Sequence, residues 1–175
     1  GQYWAFNSDP LAELAQEGAR PLSQRKPDLE RIDSQVYFAD NDSFSDLPFS
    51  RANFAVRWEG FLVVPRAATY WFILGCDNAG RVDINDETVL LNQVQTRYVE
   101  VSTALELAPG LHSLRVEFAQ GMLSNEDSWR CACKLMWVPP GESRPVALAP
   151  EMLMLPRWMW SDDAPIITRL SKGEG

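Results

Sequence analysis

The chemistry open to this chain lies in a few short stretches of oxygen- and sulfur-bearing side chains. Asp40-Asn41-Asp42-Ser43-Phe44-Ser45-Asp46 has the spaced oxygens of a calcium loop. Its fifth position is Phe44, its sixth is Ser45 rather than glycine, and its twelfth is Arg51 rather than the bidentate glutamate. It reads as a solvated acidic loop. Cys131 and Cys133 stand two apart, so on a strand they share a face with Cα atoms roughly 6.5 to 7 Å apart, at the limit of a disulfide. Cys76 bridges one of them and leaves a free thiol, or all three are small buried hydrophobes. No Cys-x-x-Cys occurs and His112 is the single histidine, so zinc lacks ligands. His112 has no nucleophile arranged beside it and reads as a structural residue at a strand edge. Carboxylates are plentiful, but counting them does not define the pair a glycosidase needs. Trp129, Trp158 and Trp160 offer apolar platforms with a polar tip, suited either to stacking on sugar faces or to packing the tail onto the domain.

The elements that must position these groups are strands. Phe54, Val56 and Trp58 fall on one face of a period-two run, with Arg57 and Glu59 on the other. Beyond Pro65 the pattern returns in Tyr70, Phe72 and Leu74. Asp77, Asn78 and Gly80 then form a polar loop, after which Val82 and Ile84 resume a strand. Asn85-Asp86 suits a two-residue hairpin, since both residues tolerate positive φ. Further strands are expected over 35–38, 87–91, 97–101, 111–118 and 129–138, the last placing Trp129, Cys131, Cys133, Leu135 and Trp137 on one face. A polar loop spans 121–128. Asp9-Pro10 reads as an N-cap and first helical residue of a helix of about two turns, stopped by Gly18. Many short strands separated by turns predict an all-β fold, a two-sheet antiparallel sandwich or barrel with one short N-terminal helix.

The 175 residues suffice for one domain with a real core, expected over 1–155, and leave 156–175 as a tail or linker. The net charge of -8 argues against nucleic acid, whose binding rests on Lys and Arg, and against anionic membrane surfaces. No apolar run reaches membrane-spanning length, and no signal peptide is visible. A start at Gly1 rather than Met suggests an excised or processed chain, which leaves open that targeting information has been cut away.

The order of these pieces resembles the protective-antigen-type domain, a β-sandwich module of bacterial toxins, glycosidases and yeast flocculin adhesins. The resemblance runs from about Gln2 to Leu153. It is carried by aromatic Tyr3, Trp4 and Phe6, by Arg57-Trp58-Glu59-Gly60, by Asp77-Asn78, by Asp83-Ile84-Asn85-Asp86, by the run from Pro109 to Phe118, and by Leu135-Met136-Trp137. In sugar-binding flocculins, two consecutive aspartates joined by a cis peptide hold calcium, and a second loop adds an asparagine and backbone carbonyls. The resemblance puts Asp77 and Asn78 at the first pair and Asn125 on the second loop, with Asp127 and Trp129 offering carbonyls. Asn78 departs from the pattern, keeping an oxygen but removing a charge. Alternatively Asp77, Asn78 and Gly80 only turn the chain.

The resemblance therefore implies a non-catalytic, extracytoplasmic binding module, at the cell surface, extracellular or periplasmic. Its expected partner is a glycan or other cell-surface component, with calcium assisting and further domains of a larger parent chain attached. The expected ligand surface comprises Asp77, Asn78, Asn125 and Trp129, and the metal set Asp77, Asn78, Asn125 and Asp127. The alternative is a structural or protein-interaction domain that binds neither sugar nor metal.

Overall fold

The structure is a computed structural model that describes residues 1–14, 21–93, 97–121 and 131–155. Its strands are β1 (Gln2–Ala5), β2 (Leu29–Glu30), β3 (Tyr37–Phe38), β4 (Phe54–Val64), β5 (Ala68–Asp77), β6 (Ala79–Ile84), β7 (Glu87–Asn92), β8 (Val99–Leu107), β9 (Gly110–Gln120), β10 (Ala132–Val138), β11 (Val146–Ala147) and β12 (Leu153–Met154), with helix α1 (Pro10–Leu14) after β1. They form two antiparallel sheets. The seven-stranded sheet runs β2-β1-β4-β9-β6-β7, with β12 also on β4; the five-stranded sheet runs β11-β10-β5-β8, with β3 also on β10. This is the expected β-sandwich.

Period-two alternation accounts for the core. Phe54, Val56, Trp58, Val116 and Phe118 from one sheet meet Phe72, Leu74, Cys76, Cys133, Leu135 and Trp137 from the other, all buried in one cluster. Asn85 and Asp86 take φ of 53° and 64°, so the β6–β7 hairpin has the backbone its sequence predicts. Asp9 caps α1 as expected, its Oδ1 accepting from the Leu11 N–H at 2.9 Å.

The outer side of the seven-stranded sheet differs from the alternation pattern. Arg57 points away from the core but is buried, because the N-terminal segment lies over this face. Trp4 and Leu22 pack there on Ala55 and Ala119, small residues that leave room for them. Strand β8 also runs six residues past the predicted 97–101, since Val101, Thr103 and Leu105 continue to alternate with exposed Glu100, Ser102, Ala104 and Glu106. Of the strand expected over 35–38, only Tyr37–Phe38 pairs. The expected tail, 156–175, and the helix's far end at Gly18 lie outside the described residues.

Candidate functional site

The predicted polar loop after Cys76 is not a loop. Strand β5 runs through Asp77 and β6 begins at Ala79, so Asn78 alone carries the chain from one sheet to the other. Both residues are buried, Asp77 with 3% and Asn78 with 1% of its surface exposed. Sequence could not show this, since Asp77 and Asn78 with Gly80 close behind also have the composition of an exposed turn. The peptide between Asp77 and Asn78 is cis, as the resemblance implies for the consecutive pair.

Four elements converge on this crossover. The last residue of β5, Asp77, is paired in register with Ala132 at the start of β10. Asn78 Oδ1 accepts from the Gly121 N–H, just past β9, at 2.9 Å. Asn78 Nδ2 donates to Asp77 Oδ1 at 3.2 Å. From β7, Asn92 Nδ2 donates to the Asn78 carbonyl at 3.4 Å and approaches Cys76 Sγ at 3.2 Å. Gln120 ends β9 fully buried; its Nε2 donates to the Gly121 carbonyl at 3.1 Å, while its Oε1 has no hydrogen-bond partner. Gln120 and Asn92 went unnoticed in the sequence. A signal existed for the first: it continues the inward series Leu114, Val116, Phe118 as its single polar member.

The thiols line the core side of the site. All three cysteines are free and buried, which decides the open alternatives in favour of small core residues. Cys76 stands opposite Cys133 across the β5–β10 ladder. Burial pushes the Cys76 thiol up to about 12, with the Asp77 charge adding to the effect against a hydrogen bond from Asn92. Burial likewise raises Cys131, again with help from Asp77, and holds Cys133 well above the ordinary thiol value.

The nine-residue connection 122–130 departs from Gly121 and returns at Cys131. Gly121 touches Asn78, and the Cys131 N–H donates to Asn41 Oδ1 at 2.6 Å. Both ends of this connection are therefore fastened around the crossover. Asn125, Asp127 and Trp129 sit on it and lie outside the described residues, as do Trp158 and Trp160. The acidic stretch at 40–46 is more ordered than a solvated loop. Asp40 caps a 3-10 turn by accepting from the Ser43 N–H at 3.0 Å, and Asn41 presents its carbonyl to Arg51 at 2.7 Å. His112 is structural as expected: its Nε2–H donates to the Ala108 carbonyl at 2.8 Å, and its Nδ1 accepts from Asn85 Nδ2 at 2.9 Å. Trp58 and Trp137 are core residues.

The donors gathered at the crossover are a buried carboxylate and amide oxygens, one of them orphaned, which suits a hard cation such as calcium. Among the described residues no three acidic, histidine or cysteine side chains converge as a metal cluster, so amides and the 122–130 connection would have to complete the shell around Asp77.

The PA14 domain family model matches residues 15–149, most of the chain, and the chain belongs to that family. Among solved structures it is similar to an anti-sigma factor domain-containing protein (TM-score 0.65, 19% identity, 89% of this chain and 46% of that one). It is similar also to the PA14 domain of the antifreeze protein MpAFP (TM-score 0.64, 13% identity, 88% of each chain). A third is the PA14 sugar-binding domain from an RTX adhesin (TM-score 0.63, 14% identity, 89% of this chain and 96% of that one). At these identities the likeness is one of fold. The chain spans a little under half of the first of these proteins and most of the other two. No curated protein sequence matches it. Among the described residues no helix is long and apolar enough to cross a membrane.

Proposed function

We propose that this domain is a non-catalytic carbohydrate-binding module that works outside the cytoplasm as part of a larger protein, with calcium organising its ligand surface at Asp77. The observation that carries the reading is the burial of the Asp77 carboxylate at the β5–β6 crossover, where both ends of the 122–130 connection are fastened. Asp77 would hold the ion from the crossover, with Asn78 bracing it there, and Asn125, with the carbonyls of Asp127 and Trp129, would hold it from the connection. Calcium held there would supply coordination positions that sugar hydroxyls could fill. The protein's own residues fix the crossover: Gly121 and Asn92 hold Asn78 in place, and Asn78 in turn holds one Asp77 oxygen.

Two other largely enclosed carboxylates, Asp33 and Asp83, are committed to structural partners and not held ready for catalysis. Asp33 receives the Tyr3 hydroxyl at 2.6 Å, the Trp58 indole N–H at 2.8 Å and Arg31 at 2.8 Å. Asp83 receives Arg81 at 2.6 Å and the Thr88 hydroxyl at 2.8 Å. Buried acids committed to such partners are structural.

A second reading, a protein-interaction domain, is favoured by one observation. On the outer face of the five-stranded sheet Trp71 is 52% exposed, between Val138 and Ala104 in register. A glycan array printed with and without chelator separates the two, using wild type, Asp77→Ala and Trp129→Ala. The sugar reading expects weak signals that chelator and Asp77→Ala abolish and Trp129→Ala reduces. A silent array in calcium, with a protein partner captured through Trp71 and lost in Trp71→Ser, would sink it.

A further inference from the structure

Gln120 ends β9 at the inward position that follows Leu114, Val116 and Phe118, and it is fully buried. Its Nε2 donates to the Gly121 carbonyl, which fixes the two ends of the amide, because the reverse orientation would set two acceptors against each other. Among the described residues, Gln120 Oε1 is then the single buried side-chain polar atom without a hydrogen-bond partner. Leaving such an oxygen dry forfeits its hydration with no hydrogen bond in return, so an orphan of this kind marks where an ion or ordered water belongs.

Its position says which site it serves. Ala79 and Ala119 are partners in the β6–β9 register, so Gln120 comes next to Asn78 at the crossover. The adjoining Gly121 N–H occupies Asn78 Oδ1, and Asn78 Nδ2 is turned to Asp77. Asn78 thus spends its amide on bracing the crossover, and the nearby oxygen left over is that of Gln120. An amide carbonyl is a ligand calcium accepts.

We propose that Gln120 Oε1 is an oxygen ligand of the cation held at Asp77, taking the place in the shell that a second aspartate would have filled. The assignment rests on the cation reading above. It makes the site part of the sandwich itself, since the end of a core strand, and not the connecting loops alone, contributes to the shell.

The test is calorimetric titration of calcium chloride alone into chelator-stripped wild type, Gln120→Met and Gln120→Glu. Methionine keeps the length and flexibility of the side chain and removes the oxygen. The expected result is binding by wild type, affinity at least tenfold weaker in Gln120→Met, and affinity about tenfold tighter in Gln120→Glu, which restores the missing charge. In chelator, Gln120→Met should keep a cooperative unfolding transition, which shows that its loss of affinity is not a loss of fold. Wild-type binding matched by Gln120→Met overturns this assignment and leaves the cation reading standing. Absence of any calcium heat from wild type overturns both. Should Gln120→Met fail to fold, the glutamate variant decides: affinity equal to or weaker than wild type overturns the assignment.

Discussion

At the scale of single residues, the crossover shows how one polar pair can be visible in a sequence while its setting is not. Asp77 and Asn78 stand out by type, yet their burial depends on Gly121, which approaches from the far end of β9. An added Cβ at Gly121 would lie 2.5 Å from Asp9 Oδ1, an atom held by its cap on Leu11. Gly121→Ala must therefore displace the helix cap or pull away from Asn78. We expect a loss of about 1–3 kcal/mol, read from the denaturant midpoint, and weaker calcium binding than wild type. The thiols give a second prediction at this scale. Cys76, Cys131 and Cys133 all have their folded-state ionisation pushed above that of the unfolded chain by burial. Each is a neutral acid in the folded protein, so its contribution is fully present below the unfolded value near 8.5. Above that pH the unfolded chain loses thiol protons first. Stability should fall as pH rises from about 9 toward 12, by up to ~1.4 kcal/mol per pH unit per thiol. Tyr3, also raised by burial and by Asp33, adds to the same trend. Urea unfolding between pH 7 and 11 checks it: replacing Cys133 with Ala should shallow the slope, and an unchanged slope would count against burial as its source.

At the scale of elements, the strands that form the sandwich were largely legible because period-two alternation is enforced by a core on one side only. β4, β5, β9 and the β6–β7 hairpin follow it closely. What alternation cannot supply is the partner on the opposite face. Register brings Arg57, Glu117 and Arg81 into one row across β4, β9 and β6, and Glu59, Arg115 and Asp83 into the next. Every neighbour along or across these strands carries the opposite sign. Arg57 reaches Glu117 at 2.6 Å, and Arg115 reaches Glu59 at 2.9 Å and Asp83 at 3.8 Å. A single partly exposed pair such as Arg115–Glu59 contributes little, but a slip of the register by one residue would break the whole grid and turn the core face outward. Arg115→Glu would face Glu59 and Asp83 and sit two residues from Glu117. We expect a loss of about 1–2 kcal/mol, reduced at high salt. Adding Glu59→Arg should recover part of it, not all, since Asp83 remains opposed. Full additivity of the two changes in urea unfolding would mean the grid is not coupled.

At the scale of the whole molecule, fold and candidate site are separable in energy. The core packs Phe44, Phe54, Phe72, Phe118 and Trp137 between two sheets by apolar contact, whereas the crossover gathers one carboxylate and several amides at the edge of that core. Their legibility divides in the same way. The sandwich follows from a pattern repeated along the chain, so the order of residues alone carries it. The crossover depends on three distant segments meeting, 77–78, 92 and 120–121. No local pattern encodes that meeting. Chelator should therefore lower stability without unfolding the domain. A ligand that binds only the folded state stabilises it by about 2.7 kcal/mol at a hundred times its dissociation constant. For the proposed calcium site, a shell with a single carboxylate would put the affinity in the weak range of extracellular modules, roughly 10⁻⁴ to 10⁻³ M. The melting temperature in chelator should thus mark a cooperative transition, and it should climb with calcium through the millimolar range. Asp77→Ala should melt at one temperature regardless of calcium. Loss of the folded baseline in chelator would show instead that the ion holds the sandwich together. A calcium response retained in Asp77→Ala would place the ion elsewhere.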